Sequence, residues 1–282
     1  MENQLQSYTS SLTTLAYFVN HTFITSIINR KNTETEEPFK FIYTLLHKTN
    51  NNLDTCSLLL ANYVSRPHHV DGLIIILRSM ITDCVVYRYL IAESKGGDEM
   101  ENLRGNIKAI YFDHVRHTIK NVEACFPHIH DFDDQQVKQT VADIKAQSPE
   151  YFDPNGKPTV KKFTTSVMAI LTNMAKKKPN DNELFYIRSL YHFFDIYSKY
   201  EHPGQFTFRL IHQQYDENTL QQFADDIVYV ITKLILPTMS SMIAFWDDLY
   251  MAHKEQYNRL FDKVSTDAVC FQKTWKDIDA KE

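Results

Sequence analysis

A chain of 282 residues, 43% hydrophobic and 23% charged, has the balance of a globular protein and excludes a disordered one. A formal charge of −5 with a pI near 6.2 disfavours tight nonspecific DNA binding, which rests on an electropositive footprint. Six glycines are too few for a fold rich in hairpins and βα turns, which use glycine for positive φ.

From the N-terminus, Leu5, Tyr8, Leu12, Leu15, Ala16, Val19, Phe23 and Ile27 recur at helical spacing and predict an amphipathic helix of roughly 25 residues. The polar run "NRKNTETEE" ends it, and Pro38 suits the first turn of a helix over 38–48. "KTNNN" predicts a break, with the helix resuming near Asp54 and closing before "SRPHH". A helix over 69–94 stops at "KGGD". Helices over 98–126 and 134–147 flank the loop "FPHIHDFDD", and "SPEYFDPNGKP", with three of the nine prolines, is the longest predicted loop. Helices over 159–177 and 181–201 follow, then a long helix over 217–263 kinked at Pro237. The end, "KTWKDIDAKE", is expected to fray. No segment predicts a strand. The expected fold is all-α, a single up-and-down helical bundle over 1–264 with two buried central helices, a tail over 265–282 and a small helical annex around 127–158.

Cys56, Cys84, Cys125 and Cys270 form no C-x-x-C pair and suit a reducing compartment as small buried hydrophobes. The first basic residue is Arg30, so no secretory signal is expected, and no apolar run approaches the roughly 18–20 residues of a membrane span. A cytoplasmic protein with no membrane partner is the expectation.

The predicted helices 69–94 and 181–201 are apolar around most of their circumference, which marks helices buried by neighbours, so their polar residues matter most. At 100° per residue Arg188, Asp195, Ser198 and His202 form one stripe with Tyr191. On the other helix Arg78, Ser79, Thr82 and Asp83 fill two adjacent turns, with Tyr87 and Arg88 one turn further. An uncompensated buried charge is costly, so these groups must pair or meet a ligand. One reading is an internal network, Arg78 with Asp195 or Asp83 with Arg188, that fixes helix register in a noncatalytic interaction protein. The other is an anion or nucleotide pocket with two arginine forks for phosphate. Both stay open at this level.

The stretches "ILRSMITDCVVYRYL" and "LFYIRSLYHFFDIYSKYEHPG" resemble the two signature blocks of an uncharacterised bacterial family of all-helical proteins, R-S-x-x-E and Y-x-x-x-S-x-x-x-H. The match falls on Arg78, Ser79, Ser198 and His202; Thr82 stands at the acidic position, with Asp83 one place on, and Phe194 at the tyrosine. The resemblance covers about residues 50–205. That family is similar in helical architecture to the HEPN ribonucleases of prokaryotic defence and toxin systems, whose R-x4-6-H motif cleaves a phosphodiester. The resemblance thus implies RNA or a nucleotide as ligand, in a defence or toxin setting. Arg188 and His192 have three residues between them, and Arg209 and His212 two, so the cleavage motif itself is missing.

Ser198 and His202 lie at i, i+4, and Asp195 could orient the imidazole, but a serine inside a helix has no oxyanion hole beside it. No histidine follows a glutamate by three residues, which excludes a ferritin-like di-iron site. His114, His117, His128, His130, Asp131, Asp133 and Asp134 read as a solvated acidic loop and neighbouring helix, so no metal is expected. Phosphate-loop and dinucleotide glycine motifs do not occur, and no cofactor is expected. From Pro154 to Asn180 there are six lysines and no acidic residue. Among them Lys157, Lys161 and Lys162 are either a solvated face or a basic approach to RNA, a nucleotide or an acidic partner. A homodimer is the ordinary expectation for such a bundle.

Overall fold

Helical periodicity carries through to the computed structural model, which describes residues 2–30, 37–63, 65–66, 69–129, 132–177, 181–201 and 217–279. Helix α1 (Glu2–Phe18) runs through a π turn (Val19–Ile24) into α2 (Thr25–Asn29). Then come α3 (Glu37–Ala61), α4 (His69–Ser94), α5 (Glu99–Ile129), α6 (Asp134–Ala146), a 3-10 turn (Pro149–Tyr151), α7 (Val167–Lys177) and α8 (Asp181–Glu201). The last rod is α9 (Glu217–Tyr229), a second π turn (Val230–Ile235) and α10 (Leu236–Ile243), followed by α11 (Asp247–Asp279). Among the described residues the sole extended pairing is an isolated bridge between Phe152 and Pro158, so the fold is all-α.

The chain divides into two compact units, Met1–Arg88 with Leu171–Glu282, and Tyr89–Ile170; the division falls inside α4 and α7. In the first unit α1 packs along α3 and α11, burying Leu5, Tyr8, Leu12, Leu15, Ala16 and Val19, with about 1.5–3 kcal/mol from each Leu or Val side chain fully buried. The rod of α9 and α10 is sunk among α3, α8 and α11, with Ile227, Val228, Ile231, Ile235 and Met239 sealed from solvent. In the second unit α5 packs on α6, whose start carries a capping box: Gln136 N–H donates to Asp133 Oδ1 and Asp133 N–H to Gln136 Oε1, both at 2.8 Å. Rings of Phe112, Tyr151 and Phe152 cluster there. Gly96 and Gly97 end α4 with φ of 92° and 64°, values that favour glycine.

Several sequence expectations change. No break occurs at "KTNNN": α3 passes straight through it, because Thr49 and Asn50 are buried and Asn50 Nδ2 donates to the carbonyl of Ala16 at 3.1 Å. That bond arrives just ahead of the first π turn, where the α1 ladder changes register. Helix α7 starts at Val167 and not near 159. Lys161 and Lys162 thereby stay in the extended lead-in, clear of the positive helix end, and the β-branched Thr159, Val160, Thr164 and Thr165 stay outside the helix. The helix expected over 217–263 stops at Ile243 and restarts at Asp247, and the disturbance expected at Pro237 takes the form of the π turn before it. Of the end expected to fray, residues 273–279 are helical.

Gln221–Ile243 is also long and apolar enough, by length and composition, to cross a membrane, with mean hydropathy 1.4, which corrects the expectation that no run approaches that size. Some 67% of that apolar window is buried inside the protein, as in the core helix of a globular fold.

Asn50→Ala should cost about 0.5–1.5 kcal/mol by removing a buried hydrogen bond between helices, whereas its exposed neighbour Asn51→Ala should stay within about 0.5 kcal/mol. Equal midpoints for the two variants in urea unfolding would contradict this role for Asn50.

Candidate functional site

The cluster foreseen on α4 and α8 separates into an interior part and a groove. Asp83 is buried and takes a hydrogen bond from Lys48 Nζ at 3.0 Å on Oδ1, with Oδ2 2.9 Å from the same ammonium. Burial pushes its carboxyl above the usual range, and Lys48 pulls it partly back. The partner of Asp83 is thus Lys48, in place of the expected Arg188. Arg78 lies with its guanidinium carbon 4.9 Å from the centroid of Phe194, and Ser79 beside it is half-buried. Ser198 turns back onto its own helix, donating to the Asp195 carbonyl at 2.9 Å. Asp195 is half-buried. His202 lies outside the described residues, as do Arg209 and His212. Lys157, Lys161 and Lys162 are exposed in the second unit.

Arg188 instead opens onto a groove of 510 Å³ between α8 and α9, within the range of small-molecule sites. Helix α8 presents Phe185, Arg188, Ser189, His192 and Phe193 to it. Their spacing of i, i+3, i+4, i+7 and i+8 is one helix face. From α9 come Asp225, Asp226 and Tyr229. The wall of α8 is therefore cationic and that of α9 anionic, with rings at both. Phe185 is 65% exposed and Tyr229 38%, while the Phe193 ring lies 5.9 Å from that of Tyr229. Arg188 is exposed and has no hydrogen-bond or ion-pair partner among the described residues. Burial and the neighbouring Asp225 charge push the Asp226 carboxyl up, and His192 across the groove moderates this.

Of the described members of the expected stripe, Arg188 lines this groove and Tyr191, Asp195 and Ser198 do not. The sequence pattern marks His192 only as a neighbour of Arg188 at the wrong spacing for cleavage and does not single out Asp225 and Asp226, though two signals are present: an Asp pair inside the apolar run "LQQFADDIVYVITKLI", and Arg188 and His192 four apart on one face. Among the described residues no group of three or more His, Cys, Asp or Glu side chains is placed to hold a metal ion.

The other polar residues of α4 meet the buried rod. Pro237 has no N–H to give the Lys233 carbonyl, and the π turn displaces the ladder around it. The Tyr186 hydroxyl donates to the carbonyls of Leu234 and Lys233, and Thr238 Oγ1 donates to Leu234 at 3.0 Å. Thr238 accepts in turn from Arg88 Nε at 3.3 Å, and the Arg88 guanidinium carbon stands 4.5 Å from the Tyr186 ring centroid. Tyr87 and Ser241 hydroxyls bond at 3.1 Å.

Comparison with protein-family models, curated proteins and solved structures finds no match to this chain.

Because the folded protein holds the Asp226 pKa above that of an unfolded aspartate, about 3.9, folding favours the protonated form. Its contribution is greatest below the unfolded pKa and is lost as pH rises through the folded one. Asp226→Asn should therefore unfold at a higher temperature than the parent at pH 7.5, the difference closing near pH 4. A constant difference across that range would contradict the assignment.

Proposed function

We propose that this chain is a binding protein whose groove between α8 and α9 takes a nucleotide, free or as a single exposed unit of RNA. The observation that carries the reading is Arg188, an exposed guanidinium with no partner among the described residues, standing in a groove whose opposite wall is Asp225 and Asp226. A nucleotide is dipolar in the matching sense. Its phosphate suits the Arg188 fork and His192, its ring N–H and amino groups suit the carboxylates, and its base can stack on Phe185, Phe193 or Tyr229. The net charge of −5 and the two aspartates in the groove favour one nucleotide over a long polyanion.

Binding is proposed without cleavage, since Arg188 and His192 have three residues between them and not the four to six of the HEPN motif. A bacterial, cytoplasmic setting in defence or toxin action belongs to the same proposal and rests on the family resemblance. For the interior part of the cluster the Asp83–Lys48 pair favours the noncatalytic reading, a network that fixes helix register.

Titration calorimetry with purine and pyrimidine nucleosides, their monophosphates and a short single-stranded RNA tests the groove. Arg188→Ala should weaken the monophosphate about 10–100-fold, the worth of a charge-assisted hydrogen bond, and leave the nucleoside nearly unchanged. Asp226→Ala should weaken both. Absence of saturable heat at millimolar ligand, or indifference to Arg188→Ala, would sink the reading.

A further inference from the structure

Arg88 is a half-buried arginine that meets no counter-ion among the described residues. Its Nε is engaged by Thr238 Oγ1, and this oxygen can only accept there, because its own hydrogen goes to the Leu234 carbonyl. The Tyr186 ring supports one face of the guanidinium. A guanidinium has five N–H donors in a fixed fork; of those beyond Nε one is shared with the Tyr186 hydroxyl, and none meets a carboxylate among the described residues. The carboxylate five residues back on α4, Asp83, is held by Lys48.

No concealed anion replaces it. Burial pushes the Tyr186 phenol and the Cys84 thiol each up to about 12, so both are neutral at physiological pH. The surroundings are instead hydroxyls: Thr238 on the guanidinium, Tyr186 beneath it, and Ser241 one turn further along α10, bonded to Tyr87. A cation drawn partly out of water without a counter-ion is costly, and one whose stem is pinned by a hydrogen bond and a ring loses little freedom on binding.

We propose that the Arg88 fork is a second ligand site, separate from the groove, that binds the oxyanion group of a small molecule, phosphate or carboxylate, in bidentate fashion. A rigid planar fork with hydroxyl neighbours and no competing carboxylate fits such a group. The site does not depend on the nucleotide reading, which rests on Arg188.

Arginine Nε–Hε NMR signals of the full chain, titrated with inorganic phosphate and separately with acetate, test it. The Arg88 signal, assigned by its loss in Arg88→Lys, should move along a saturating curve at millimolar anion. Phosphate binding should fall at least tenfold in Arg88→Lys and persist in Arg188→Ala, which separates this site from the groove. Saturation with phosphate and not acetate would assign the site to phosphate, and the reverse to carboxylate. A shift that is linear in anion, equal at all arginines, or accompanied by undiminished phosphate binding in Arg88→Lys would overturn the proposal. Should Arg88→Lys not fold, Thr238→Val assigns the same signal through the Nε partner, and the wild-type titration decides alone.

Discussion

Inside a hydrophobic core, a helix that changes from i+4 to i+5 bonding leaves carbonyls that water cannot reach, and the first compact unit is arranged around supplying their donors. In the rod of α9 and α10, Pro237 withholds one donor and the π turn at Val230–Ile235 displaces others. Side chains from other helices answer. Tyr186 of α8 reaches the carbonyls of Lys233 and Leu234, while Tyr8 of α1 and Tyr257 of α11 bond side-chain hydroxyls of the same rod, Thr232 at 2.9 Å and Ser240 at 2.7 Å. Each hydroxyl is carried on a large ring that also fills the core, so one residue supplies apolar burial and polar satisfaction together. Ahead of the first π turn, Asn50 of α3 likewise reaches a helix carbonyl, that of Ala16.

The same constraint positions the chemistry. A π turn alters the phase of a helix, so residues before and after it serve different neighbours. Ahead of it, Asp225, Asp226 and Tyr229 line the groove; after it, Thr238 and Ser241 meet Arg88 and Tyr87. Helix α8 takes part in both through adjacent positions, Phe185 toward the groove and Tyr186 toward the rod. Stability and ligand chemistry are therefore linked through α8. A substitution that loosens Tyr186 disturbs the wall that carries Arg188 and His192.

Helix identity was legible where one apolar period governs, as in α4 and α8, whose spans agree closely with their spacing. It failed where a residue's role is decided on another helix. Asn50 reads as a breaker by local propensity, but its bond to Ala16 lies 34 residues away. Asp83 and Arg188 looked like partners, being opposite charges on two apolar helices, yet Lys48 on a third helix takes the carboxylate. The groove was half legible. The polar stripe on α8 pointed to Arg188, whereas Asp225 and Asp226 become a site only through the packing of α8 against the rod, which no periodicity encodes.

The central claim is that Tyr186 satisfies carbonyls released by the π turn. Native-state hydrogen exchange of Tyr186→Phe against the parent measures it most directly. The amides of residues 230–239 should open more easily by about 1 kcal/mol, the worth of a lost hydrogen bond where Leu234 keeps its bond from Thr238, while those of α5 and α6 keep their protection. Unchanged exchange across the π turn, or a uniform loss in both compact units, would contradict the account.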